Sequence, residues 1–592
     1  MKSILHKLTQ PINRKKRSQR RSDWIEMIAG VLIIIFVNII GYYLFLRIDL
    51  TSERRYTLSK ATKEMLKKID EPVLFRVYLE GEFPPDFRRL QDETKEMLNQ
   101  FRAYSPYINY EFVNPNDFDN AQERRVFMQK LLSKGIQPTQ IQVRSNGTTS
   151  SQVIIPAADV SYKGRETSIQ LLQNQQYVSE DELLNNSVQN LEYVLSNAIR
   201  GLARVQRPLI GFVTGHGELR DGLLYDAQNI LHEYYDLDYA PIEGNINALT
   251  SRSQSSKDST SFSFTNNYDL LVIAKPRSTF SDQDLYIIDQ YVMYGGKVLW
   301  LVDALDADMD SLAQRSQALA TRLPLGLDDL LFNYGVRINP DLVQDIRSRP
   351  IPMTVGMIGD KPQIQFCPWF YFPELMPASE HPIVRNLDLV KSDFVSSIDL
   401  IDNDINKTVL LSSSEYSRVK NAPVIIDLND ARIDINQIDQ RLFNRQHVPV
   451  AVLLEGTFKS AYRNRLPPEF TELPAMGFKA ESEPTRMIVV SDGDIIRNRF
   501  NMQQGSGYPM GYDNYTQTMY ANREFILNAI DYLTGGEDFM STRTRSVKLR
   551  KLDIMRVNEQ RTFYQVINII VPLVILALAG IAIVWLRRRR YI

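Results

Sequence analysis

The chain has 592 residues, 69 of them basic, 70 acidic and 44% apolar, with a single cysteine, Cys367. One cysteine excludes an intramolecular disulfide and the stapled folds of small secreted proteins, whereas a large unstapled body suits a bacterial periplasm. Both ends are basic, and without residues 1–26 and the last six the rest holds 57 basic and 68 acidic residues, a net charge of about −11 that argues against a nucleic-acid partner.

Residues 1–23 carry Lys2, Lys7, Arg14, Lys15, Lys16, Arg17, Arg20 and Arg21 against Asp23. Residues 27–46 follow as an apolar run whose one clearly polar side chain is Asn38, and a second run, 566–586, is interrupted by Asn568 and Pro572. At about 1.5 Å per helical residue, each run spans a hydrocarbon core of about 30 Å. The first has no small-residue cleavage site and reads as an anchor, not a removable signal. The chain ends in Arg587, Arg588, Arg589 and Arg590. Placing each arginine at the bilayer centre costs roughly 2.5–3.5 kcal/mol, so both tails are expected in the cytoplasm and the 519 residues between the runs in the periplasm. Lys548, Arg550, Lys551, Arg556 and Arg561 oppose this assignment, but long translocated domains largely escape the charge rule.

Within the body, 50–200 reads as a small α/β domain. Its signals are a helix capped by Thr57 or Ser59, a strand at 72–80, a helix at 86–104 and a strand at 108–113. Strand, helix and strand over about forty residues predict a parallel βαβ unit. Short strands follow over 141–172, with turns at Asn146-Gly147 and Lys163-Gly164, and a long helix over 180–204 leads away. The second domain, 205–535, alternates strands and helices. Strands are expected at 208–214, 237–241, 268–275, 297–303 and 487–491, with helices at 223–234, 281–294 (Ser281 as cap) and 522–533. A Ser-rich stretch, 251–267, reads as an exposed loop. Mixed strands at 408–412, 423–426 and 449–454 mark an insertion over 330–480. The pattern predicts an open, mainly parallel, doubly wound sheet, followed by a basic stalk at 540–565.

Known catalytic motifs are mostly missing. Gly295-Gly296-Lys297-Val298 lacks the hydroxyl and first glycine of a phosphate loop and precedes its strand. His232-Glu233-Tyr234-Tyr235-Asp236 ends in Asp where a zinc helix needs a second histidine. There is no nucleophile elbow, and Cys367 precedes Pro368, a poor start for an activating helix. One constellation remains, at the carboxyl ends of the strands, where such sheets bind ligands. It comprises His216 and Glu218 after the first strand, Lys275 and Asp303 after the next two, and Asp492 and Asp494 after the last. A histidine with carboxylates at one edge suits metal binding, acid/base work, or a ligand or partner surface. The simpler reading is structural, because glycines beside His216 suit a tight turn and short polar residues cap helices. In the membrane runs, Asn38 and Asn568 place amides in hydrocarbon and Pro572 bends or shapes its helix, so the runs read as docking surfaces for a multi-span partner.

Four pieces, in this order between the two anchors, carry a resemblance. They are Arg55-Tyr56-Thr57-Leu58-Ser59, Phe212-Val213-Thr214-Gly215-His216-Gly217-Glu218, Tyr294-Gly295-Gly296-Lys297-Val298-Leu299-Trp300-Leu301-Val302-Asp303 and Ser491-Asp492-Gly493-Asp494. The chain resembles the GldG family, the gliding-motility-associated auxiliary components of an ABC transporter in Bacteroidetes. The resemblance covers nearly the whole chain. It implies an inner-membrane protein working with an ABC permease subunit and a cytoplasmic ATPase subunit in gliding motility and the linked secretion machinery. It also implies a central domain similar to class I glutamine amidotransferases. Their cysteine nucleophile has no counterpart here, so that activity does not carry over, and no cofactor or metal is implied. Two functional expectations result: a non-enzymatic, substrate-binding-like auxiliary subunit, and a periplasmic hydrolase using the His216, Glu218 and Asp492 edge.

Overall fold

The computed structural model describes residues 16–43, 57–81, 83–115, 120–133, 136, 138–145, 148–173, 179–204, 206–254, 262–358, 361–432, 439–501, 506–536 and 560–590. The basic residues 1–15, the stretch 44–56 with Arg55 and Tyr56, the Asn146-Gly147 turn and most of the stalk, 537–559, lie outside them. The chain divides into two compact units, Met1–Thr57 and Leu58–Ile592.

In the first unit, α1 spans Lys16–Tyr43 and contains the exposed apolar stretch Met27–Phe36. Asn38 is satisfied within this helix, its Nδ2 donating to the Ile34 carbonyl at 2.9 Å.

The second unit opens with α2, Lys60–Lys67, which Ser59 caps by accepting the Thr62 amide at 3.1 Å. β1 (Val73–Val77), α3 (Pro85–Tyr104) and β2 (Ile108–Phe112) form the expected parallel βαβ unit. Next come α4 (Ala121–Ser133), which sequence periodicity does not reveal, then β3 (Thr139–Ser145) and β4 (Thr148–Ile154) as one hairpin, and β5 (Ala157–Tyr162) and β6 (Arg165–Gln170) as another. The second hairpin turns at Lys163 and Gly164, both at positive φ, as a two-residue turn between twisted strands requires. The sheet order is β2-β1-β5-β6. α5, Glu180–Ala203, does not lead away as expected. Its Leu184, Leu191, Leu195 and Ile199 pack into the core of this small sheet, while Tyr193 reaches the next core. One helix shared by two cores holds the modules in a single unit.

The larger module contains β7 (Leu209–Thr214), α6 (Tyr225–His232), β8 (Asp236–Pro241), β9 (Thr250–Gln254), β10 (Phe262–Asn266), β11 (Leu270–Ala274), α7 (Asp282–Met293) and β12 (Val298–Leu301). It continues with α8 (Asp328–Tyr334), β13 (Ser348–Ile358), β14 (Lys361–Pro377), β15 (Asn406–Ser412), β16 (Pro449–Gly456), β17 (Thr485–Val490) and α9 (Asn522–Leu533). Its main sheet runs β13-β14-β15-β16-β17-β12-β11-β7-β8. The last five are mutually parallel, and counted along the chain their spatial order is 2-1-3-4-5. Successive side chains point to opposite faces. Leu270 and Val272 meet α6 and α9 on one side, while Leu271 and Ile273 meet α7 and α8 on the other. Both faces are therefore covered, which explains the continuous apolar strands.

Two expectations need correction. The sheet is mixed rather than mainly parallel, because β13 to β16 are antiparallel, and they come from the segment read as an insertion. That segment builds the flank of the main sheet, since strands joined without a crossover helix can add only in the antiparallel sense. The Ser-rich stretch is not all loop either: β9 and β10 pair as antiparallel arms around 255–261, which lie outside the described residues.

The chain closes with α10, Arg561–Arg590, which starts within the expected stalk and runs through the terminal arginines. Its Arg561–Trp585 stretch is, among the described residues, the one helix long and apolar enough to cross a membrane. At 25 residues it measures about 38 Å, and its side chains are exposed.

Candidate functional site

Where the strand order reverses, between β7 and β11, an open sheet of this kind has a crevice at its carboxyl edge. Here the two loops that would border it are joined. The amides of Arg277 and Ser278 donate to the His216 carbonyl at 2.8 and 2.9 Å, and the Leu219 amide donates to Ala274. Gly215 and Gly217 both sit at positive φ, which lets β7 turn sharply enough to present His216 inward. A Cβ on Gly217 would press on Arg277 at 3.2 Å.

His216 is buried, and both ring nitrogens are engaged. Nδ1 lies 3.0 Å from Glu218 Oε1 and Nε2 lies 3.2 Å from Asp284 Oδ2. Its ring stacks on Phe280 with centroids 3.8 Å apart. Burial alone would lower the imidazole pKa, but its hydrogen bonds to Glu218 and Asp284 outweigh it and raise it. Asp284 is held in turn by Ser281 Oγ at 2.7 Å and the Gly244 amide at 2.8 Å. Burial pushes the Asp284 carboxyl up, yet these donors bring it below its usual value. Ser281 also caps the start of α7 by accepting the Asp284 amide, so one serine begins the helix and fixes the carboxylate that grips His216.

A second node gathers Lys275, Asp303, Asp492 and Asp494. Lys275 is buried at positive φ, and its ammonium pairs with Asp303 at 3.0 Å and with Asp494. The Gly493 amide donates to Asp303 at 2.6 Å, and a Cβ there would lie 2.5 Å from the Lys275 Cβ. Asp492 accepts the amides of Asp494 at 2.7 Å and Asp393 at 2.9 Å. The oxygens of Asp303, Asp492 and Asp494 lie within 4.8 Å of one another, a spacing that fits a cation, and the Lys275 ammonium supplies that charge to two of them. Burial would lower the Lys275 pKa, but Asp303 and Asp494 drive it well up. Burial raises the carboxyl pKa of Asp492, and Asp494 and Asp303 raise it further.

Arginines surround both nodes. Arg277 pairs with Asp306 at 2.9 Å, Arg497 with Asp494 at 3.2 Å and with Asp308 at 3.8 Å, and Arg499 with Asp393 at 3.7 Å. Arg349, fully buried, pairs with Asp393 and with Asp513 at 3.0 Å. The sequence-derived residues therefore fall into two structural nodes, His216 with Glu218 and Lys275 with Asp303, Asp492 and Asp494. Asp284, Asp393 and Arg349 were missed. A Ser-x-x-Asp helix start signals Asp284, but nothing local signals the other two, which come from the antiparallel flank. Asn38 is on α1, and Asn568 and Pro572 are on α10.

Comparison with known proteins finds similarity to families, a relative and a solved structure. The domain of unknown function DUF7088 matches residues 52–161, from just before α2 to within β5. A Borreliella burgdorferi protein described as uncharacterized is 20% identical over 534 residues, covering 88% of each chain. The solved mmIFT52 N-terminal domain is similar at 12% identity, with a TM-score of 0.28, over 56% of this chain and 98% of that one. The model of the ABC-type uncharacterized transport system matches residues 207–529, from just before β7 into α9. That match covers more than half of the chain, which therefore belongs to the ABC-type uncharacterized transport system family.

Proposed function

We propose that this chain is a non-enzymatic auxiliary subunit of an ABC transporter, anchored in the inner membrane by α1 and α10, with both termini cytoplasmic and the sheet-bearing body in the periplasm. The family match over 207–529 carries this reading. The resemblance to the GldG family extends it to gliding motility, with a permease and an ATPase as partners. The carboxyl edge serves as a partner-facing surface. His216 has no free ring nitrogen to act as a base, the loops at the strand reversal are joined, and Lys275 is neutralised by two carboxylates. The partly exposed Arg277, Arg497 and Arg499 form its rim.

The membrane helices dock on the permease. Pro572 has no amide proton for the Asn568 carbonyl one turn earlier, so a free backbone acceptor and a side-chain amide coincide at one residue of an apolar helix. Mild-detergent purification of the full chain should recover a permease and an ATPase, and recovery of neither overturns the subunit reading. Asn568→Leu should lower permease recovery severalfold, and unchanged recovery removes the docking role. His216→Ala with Glu218→Gln should leave function in cells intact wherever the protein folds. Loss of function with a folded body favours the hydrolase.

A further inference from the structure

At the flank of the main sheet, β13 and β14 form a long hairpin. The outer edge of β13 pairs with no described strand, and β14 is paired beyond β13 only over 374–377. At the base, Ile351, Cys367 and Trp369 turn into a buried cluster. Toward the turn, Thr354, Val355, Met357 and residues 362–366 are all exposed, so the hairpin projects as an arm. Side chains alternate along each strand, which puts Pro352, Ile364 and Phe366 on the face opposite the buried cluster. A bulge after Thr354 sets Met357 against Pro362 on that same face. Met357, Ile364 and Phe366 are 64%, 61% and 52% exposed, whereas Gln363 and Gln365 occupy the other side.

The edges of the arm are closed to a further strand, so an occupant must meet its face. Pro350 stands opposite Pro368 and neither has an amide, so the hydrogen-bonded pair is Ile351 with Cys367, and Pro350, Pro352 and Pro368 take outward positions where no donor is left. The Thr354 carbonyl on the outer edge accepts Arg432 Nη2 at 3.2 Å. Three half-exposed side chains offer on the order of 300 Å², well short of the ~800 Å² that each partner buries in a stable protein interface. Charge favours lipid instead. From 350 to 373 the sequence holds no charged residue except Asp360 and Lys361. An uncharged, edge-blocked arm with Met, Ile and Phe on one face suits the boundary between headgroups and acyl chains, which apolar faces enter by about 5–10 Å. Residues 537–559, which join the body to α10, span at most about 80 Å, so that boundary is within reach. We propose that the apolar face of the β13–β14 arm docks in the headgroup boundary of the bilayer that α10 spans, and so sets how the body stands on the membrane. This contact rests on the anchoring by α10 proposed above.

Spin labels on single cysteines of the full-length protein, in a Cys367→Ala background reconstituted into phosphatidylcholine vesicles, test this. The readout is collision with oxygen, which concentrates in lipid, against collision with a water-soluble nickel chelate. Cys367 is buried, so the native cysteine can stay in place if its replacement unfolds the body. Labels at Met357→Cys and Ile364→Cys should favour oxygen over nickel at least fivefold more than a label at Gln365→Cys, on the opposite face. Equal ratios on the two faces overturn the proposal. A face shielded from both reagents also overturns it, because that assigns the face to a protein partner or a second copy. A label at Ile575→Cys, within α10, separates this contact from the anchoring. Lipid at Ile575 with water at Ile364 overturns the docking alone, whereas water at Ile575 overturns the anchoring and the docking with it.

Discussion

Lys275 shows how one side chain fixes the carboxyl edge. Its ammonium is the cation that lets the buried Asp303 and the half-buried Asp494 sit side by side. Removing one partner of a buried pair leaves uncompensated charge and costs about 3–5 kcal/mol. Lys275→Met should destabilise the body by that order in chemical denaturation, and adding Asp303→Asn should restore part of the loss. His216 gives a pH signature. Its folded pKa lies above the unfolded value of about 6.5, so its contribution is fully present below about pH 6.5 and fades as pH rises through the folded value. The stability gap between the native protein and His216→Gln should be widest near pH 6 and narrow in alkaline buffer. These residue types and their glycine neighbours were legible because tight turns and helix caps are local. Arg349 and Asp393 were not, because their value depends on a strand flank more than ninety residues before Asp492.

At the scale of elements, α7 and α9 show two ways of fixing a helix. α7 is set locally: Ser281→Ala should cost about 1 kcal/mol for the cap. It should also loosen Asp284 from His216, which thermal unfolding with imidazole NMR would resolve. α9 is set by tertiary contacts. Its Asp531 pairs with Arg200 and lies 3.9 Å from Arg204, both from the shared α5 region. A Cβ on Gly201 would meet the Tyr234 ring at 2.5 Å, so the small and large modules touch closely here. Asp531→Ala should uncouple the modules, seen as faster hydrogen exchange in α5 and α9 with the β11 and β12 core still protected. Unchanged exchange would mean the shared apolar contacts of α5 suffice.

At the scale of the molecule, the proposed placement of the body rests on α10, the one described helix long and apolar enough to cross a membrane, and on the shorter apolar stretch of α1. Deleting 561–592 should leave the protein in the membrane fraction through 27–46, and deleting both runs should release a folded body. Release by the first deletion alone would remove α1 as an anchor. α1 and α10 differ in how they treat their polar residue. Asn38 spends its amide on Ile34, whereas the Asn568 carbonyl loses its donor to Pro572. That asymmetry makes α10 the better place to seek a partner.

The sequence by itself determined the elements whose signals are local. Apolar runs gave the parallel strands and the long apolar C-terminal helix, Ser59 and Ser281 marked helix starts, and Gly215 and Gly217 marked the turn that holds His216. Motifs kept in order also pointed to an ABC-transporter auxiliary domain, the level at which the match over 207–529 places the chain. Only the tertiary structure decided what those elements join. β13 to β16 extend the main sheet, α5 is shared by two cores, and the charged edge is two closed nodes in place of one open cleft. The physical reason is that strand pairing, burial and ion pairing are bought with contacts between residues far apart in the chain, and no local pattern records which distant partner wins.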